Sequence, residues 1–167
     1  MLDTARILRD GALLSLVGST YVLLILRFNP RLFLRHYPKE IQEIVPPKST
    51  KEIWISILLG GVPFLLLFVG SQFDSALLWR NSIQGRPLFW ERFAHAFGVI
   101  FLFNLVDLFI LDWLIVCWLK PPWVILPGTE HIVIPKLYLH HFKGFLLGTV
   151  LSVVVGLAIA AFLSIQF

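Results

Sequence analysis

The chain has 167 residues, 57% of them hydrophobic and only 14% charged, and its mean hydropathy of +0.83 is far above that of water-soluble domains. Its net charge of +4 does not point to nucleic acid, because the basic residues flank apolar runs, where they suit lipid phosphates, and form no single basic face. The composition therefore excludes a soluble domain and predicts one membrane domain over residues 1–167, with the lipid bilayer as its solvent.

Four apolar runs, about residues 11–28, 53–73, 94–119 and 142–165, are each long enough for about 30 Å of hydrocarbon at about 1.5 Å per residue. Arg6 and Arg9 precede the first run as they would in a signal peptide. The run continues past any small-residue cleavage site to "LRFNPR", however, and is read as a retained helix. The expectation is an all-α integral membrane protein, an antiparallel bundle of four transmembrane helices. Loop 1 carries Arg31, Arg35, Lys39, Lys48 and Lys51, and loop 3 carries Lys120, Lys136 and Lys143. Against them stand Arg6, Arg9, Arg80, Arg86 and Arg92 on the other side. This bias predicts loops 1 and 3 in the cytoplasm and both termini outside.

In loop 1, Pro38 can open a short helix and Pro46 with Pro47 stop it, so a short interfacial helix is predicted between spans 1 and 2. Ser49 and Glu52 then have capping-box spacing at the start of span 2. Span 2 contains "LLGGVPFLL". Pro63 removes a backbone donor, and Gly60 and Gly61 offer no side-chain resistance to bending, so a kink is expected near mid-membrane. Carbonyls freed at such a break can coordinate a cation or be covered by neighbouring side chains.

Span 3 holds "NLVDLFILDWLIVC", with two aspartates in an otherwise apolar run. At about 100° per residue, Asn104 lies about 60° from Asp107 and about 80° from Asp112, so the three form one polar stripe, a candidate ion or proton path. A mid-membrane carboxylate costs about 2.5 to 3.5 kcal/mol to insert, and so must be protonated, paired, or facing a wet cavity. No lysine or arginine is central in any span. The hydroxyls of Ser15, Ser19, Thr20, Tyr21, Thr149 and Ser152 are the partners available to Asp107, while Lys120 and loop 3 can reach Asp112. At the start of the same span, Glu91 and His95 stand one turn apart and are expected to hydrogen-bond at the interface.

Loop 3, "PPWVILPGTEHIVIPKLYLHH", places β-branched runs around "PGTE" and predicts a hairpin-like interfacial loop. His36, His131, His140 and His141, with Glu130, are candidate ligands for a surface metal ion, although their spacing matches no recognised ligand motif. His95 enters the bundle from the side opposite His140 and His141, so a haem held by two histidines is not expected. Cys117 lies in an apolar run with no histidine at a nearby helical position, and its thiol is inert. Neither a G-x-S-x-G elbow nor a Gly-rich phosphate loop is present.

In span 4, Gly144, Gly148, Ser152, Gly156, Ala160 and Ser164 recur every fourth residue and form a groove that another helix can approach closely. Span 1 has a shorter version in Gly11, Ser15 and Ser19. Such a groove packs within one subunit, against a second copy, or against a partner membrane subunit. The functional reading is transport, or ion or proton translocation along the span 3 stripe. The alternatives are a membrane-surface enzyme or metal-binding protein using loops 1 and 3, and a non-catalytic assembly subunit.

Overall fold

A computed structural model of the chain describes residues 3–82, 88–133 and 137–166, with the backbone alone at 73–82 and 166. Arg86, Lys136 and the side chain of Arg80, all part of the charge bias, lie outside the described residues, as do the last residues of the β-branched run in loop 3. The described residues are helical, with no strand.

Helix α1 (Thr4–Phe28) starts at Asp3, whose carboxylate accepts the Arg6 N–H at 3.0 Å. This carries the helix seven residues upstream of the apolar run, because a cap and helix-forming polar residues extend a helix beyond hydrocarbon. Asn29 ends it and opens a 3-10 helix, Pro30–His36, followed by α2 (Lys39–Ile44), the short helix expected in loop 1. Ser49 and Glu52 close the predicted capping box on α3 (Thr50–Ile55). Arg31 reaches back to Glu52 at 2.8 Å, tying loop 1 to the start of the second long helix.

That helix runs from α3 through a π segment, Ser56–Gly61, into α4 (Val62–Ser82). Pro63 explains the break. It has no N–H for the Leu59 carbonyl four residues earlier, and the Val62 N–H reaches back five residues to Ile57. The Tyr21 hydroxyl of α1 donates to the freed Leu59 carbonyl.

The third long helix is α5 (Phe89–Val106) continued by a second π segment, Asp107–Leu119. It stops at Lys120, which takes a left-handed conformation (φ 44°, ψ 54°) ahead of Pro121 and Pro122. The last long helix, α6 (Leu137–Gln166), starts five residues before the apolar run, so that His140 and His141 are helical. All four long helices are apolar and long enough to cross a membrane.

The third long helix is central. Leu14 of α1 packs with Val99 and Phe103 of α5, and Phe64 and Phe68 of α4 close over them. On its other face α5 meets the small-residue ladder of α6. Ser152 and Ala160 are buried, and a β-carbon at Gly156 would stand 3.2 Å from the Phe97 backbone nitrogen. Gly144 differs from the rest of the ladder, being exposed with nothing within 4 Å of its β position. The Gly11 end of the α1 series is equally tight, since a β-carbon there would come within 2.7 Å of Leu102. The second long helix is peripheral, with none of its most apolar window buried.

Loop 3 corrects the hairpin expectation. Pro122–Val124 forms a 3-10 turn, and the chain then reverses at Gly128, with φ 86°. Among the described residues of this loop none pairs as a strand, and Leu126, with Ile132 against it, instead packs on loop 1 in a buried cluster with Leu34, Ile41 and Val45. The Tyr37 hydroxyl donates to the Val124 carbonyl at 2.8 Å, and burial pushes this phenol up to about 12. Loops 1 and 3 thus form one cap at one end of the molecule.

Candidate functional site

Asn104, Asp107 and Asp112 occupy the stretch where the third long helix changes from α to π winding, and the winding alters their geometry. In an α-helix, residues five apart are about 140° round the axis. The i→i+5 bonding of a π-helix instead sets residues five apart close to one line, so Asp107 and Asp112 come onto one face.

The three residues differ in their partners. The Asn104 carboxamide donates to the Phe145 carbonyl at 3.0 Å and to Thr149 Oγ1 at 3.1 Å, while Thr149 itself donates to Phe145 O at 2.9 Å. Asn104 is therefore a polar clasp between the third and fourth long helices, and Gly148 makes room for it, since a β-carbon there would lie 2.5 Å from the carboxamide oxygen. Asp112 meets His141, whose Nδ1 stands 2.9 Å from its Oδ1. Loop-side Lys120 makes no ion pair with it; a histidine in the first turns of α6 takes that place. With Nδ1–H given to the carboxylate, a neutral His141 keeps its lone pair on Nε2, which is buried and has no hydrogen-bond partner.

Asp107 is half-buried and makes no hydrogen bond or ion pair among the described residues. Asp112 and His141 lie within its electrostatic reach. None of the hydroxyls in the sequence inventory serves it. Thr149 is engaged by Asn104, while Ser15, Thr20 and Ser152 donate to carbonyls of their own helices, at 2.6, 2.7 and 2.7 Å. Tyr21 is engaged at the Leu59 carbonyl, which is covered in this way and faces no ion. Gly60 and Gly61 have open space at their β positions.

The loop histidines converge in part. His140 Nε2 is 3.0 Å from the His36 carbonyl oxygen, and the His140 and His141 rings are 5.4 Å apart. Glu130 instead accepts from the Gly128 N–H at 3.1 Å within the loop 3 turn, and His131 is exposed beside it. Among the described residues, no three His, Cys, Asp or Glu side chains are gathered closely enough to hold a metal ion. What the cluster can do chemically is exchange protons. It holds a carboxyl without a partner, a carboxylate–imidazole pair, and a free ring nitrogen.

Comparison with known protein families, with curated proteins and with solved structures finds no match.

A second group of buried charges lies at the end bearing the N-terminus, where the sequence reading paired His95 with Glu91, counted Arg92 as a flanking charge and did not single out Asp10. Asp10 of α1, and Arg92 and His95 of α5, are each less than a tenth exposed. His95 Nε2 lies 3.6 Å from Asp10 Oδ2, and Arg9 forks onto Asp10 Oδ1 at 2.9 and 2.7 Å. Glu91, expected to meet His95, accepts the Leu88 N–H at the helix start, at 2.9 Å. Asp10 lies outside the apolar run and reads as a flanking charge. Its place one residue before Gly11, on the small-residue face that packs on α5, is the signal that would have found it.

Proposed function

We propose that the chain is a multi-pass integral membrane protein of four antiparallel spans that passes protons, or a cation that exchanges with them, along the face bearing Asp107, Asp112 and His141. The observation that carries this reading is Asp107, a carboxyl group in the middle of an apolar helix with no hydrogen-bond or ion-pair partner among the described residues. A carboxyl held for structure alone would be expected to have a hydrogen-bond donor, as Asn104 and Asp112 have partners. The carboxylate–imidazole pair one π-turn away gives a proton somewhere to go, and His36 and His140 continue the polar line toward the cap formed by loops 1 and 3.

The positive bias of the sequence favours that cap in the cytoplasm and both termini outside. The exposed second long helix suits contact with lipid, a second copy, or a partner subunit. Proton and sodium flux into liposomes carrying the wild-type protein or Asp107→Asn tests the reading. Proton flux in the wild type that the variant abolishes supports it, and sodium flux lost in the same way makes the ion sodium. Wild-type liposomes no leakier to either ion than empty ones would overturn it.

A further inference from the structure

Arg92 sits in the first turn of α5 and is 7% exposed. One guanidinium nitrogen, Nη1, donates to Ser164 Oγ at 3.1 Å, and Arg92 makes no ion pair among the described residues. Ser164 cannot neutralise it, since the serine hydroxyl gives its proton to the Ala160 carbonyl at 2.7 Å and offers the arginine only a lone pair. The acids at this end serve other groups, Asp10 on Arg9 and facing His95, and Glu91 on the Leu88 N–H. A largely buried guanidinium with no ion pair among the described residues is unfavourable, and its N–H donors other than Nη1 make no hydrogen bond there.

The surroundings say what kind of anion fits. The planar fork of arginine matches two oxygens of a phosphate, and the N-terminus of an 18-residue helix adds partial positive charge at the same place. The charges of Arg6 and Arg9 of α1 reach neighbouring His95, as do those of Asp10 and Asp3 with the opposite sign, so Arg92 is the cation of this end that no acid pairs among the described residues. Ser164 is exposed, so the site opens outward at the end of α6. Trp90, two-thirds exposed in the same turn of α5, is the residue type that marks headgroup depth. We propose that Arg92, Ser164 and the N-terminus of α5 bind a phosphate group, as the headgroup of an anionic phospholipid or as free phosphate. This rests on the membrane-spanning reading and is independent of Asp107.

The test is the thermal midpoint of the protein in zwitterionic phosphatidylcholine bicelles, after addition of phosphatidylglycerol or of inorganic phosphate. Wild type, Arg92→Gln, Arg92→Lys, Ser164→Ala and, as a control at the other end, Lys143→Gln are compared. A rise in the wild type and in Lys143→Gln that Arg92→Gln loses and Ser164→Ala and Arg92→Lys reduce supports the site. A rise with phosphatidylglycerol alone identifies the headgroup, and an equal rise with inorganic phosphate identifies the free anion. If the wild type responds to neither, or Ser164→Ala and the Arg92 variants respond as the wild type does, the proposal is wrong. Should Arg92→Gln fail to fold, Ser164→Ala and Arg92→Lys decide.

Discussion

Two aspartates five residues apart in one apolar helix have met different fates. Asp112 is paired because α6 begins at Leu137 and carries His141 to it, 2.9 Å away. In a double-mutant cycle, Asp112→Asn and His141→Gln should show a coupling of about 0.5–3 kcal/mol in thermal or denaturant stability, as contacting partners do. Additive effects would mean the pair contributes nothing. Asp107 was legible from hydropathy alone, because a carboxyl in a long apolar run is conspicuous whatever surrounds it. The partner of Asp112 was not legible, because hydropathy starts the fourth span after His141 and so assigns that residue to a loop. Arg92 was legible as a helix-end charge, but its burial depends on α6 lying across it, and the composition of α5 carries no trace of that.

At the scale of elements, the ladder on α6 does two different things. Gly148 is occupied from the other side by the Asn104 carboxamide, whereas Gly144 faces open space. Gly148→Ala is therefore expected to displace Asn104 and cost about 1–3 kcal/mol as overpacking. Gly144→Ala should be neutral or stabilising by up to about 1 kcal/mol, through helix propensity. The four-residue spacing showed that a groove exists; where the facing helix ends decides which rungs it covers. The break in the second long helix was equally readable from Pro63, but its cover was not, because Tyr21 comes from another helix. Tyr21→Phe should destabilise the protein by about 1 kcal/mol by uncovering the Leu59 carbonyl. In a Pro63→Ala background the restored N–H can bond that carbonyl, and the same change should cost much less. Equal costs in both backgrounds would show that the hydroxyl matters for another reason. The hairpin expectation failed for a physical reason too, because Leu126, with Ile132 against it, gains more by entering the cluster with Leu34 and Ile41 than an isolated two-stranded ribbon would give.

For the whole molecule, the third long helix is the axis about which the others are arranged, and the cap of loops 1 and 3 closes one end of it. Tyr37 ties that cap and stays neutral to a pH of about 12, two units above its ordinary value. The unfolded chain therefore loses this proton first as the pH rises, and stability should fall between about pH 10 and 12. A thermal midpoint followed over that window should fall less steeply in Tyr37→Phe than in the wild type. The central claim is that the molecule keeps Asp107 for use and not for structure. Asp107→Leu tests it most directly, with thermal stability and proton flux measured on the same reconstituted preparation. With no partner among the described residues, the carboxyl would cost stability in hydrocarbon, so the account predicts a variant more stable than the wild type and unable to pass protons. A variant that is less stable and conducts as the wild type does would contradict it.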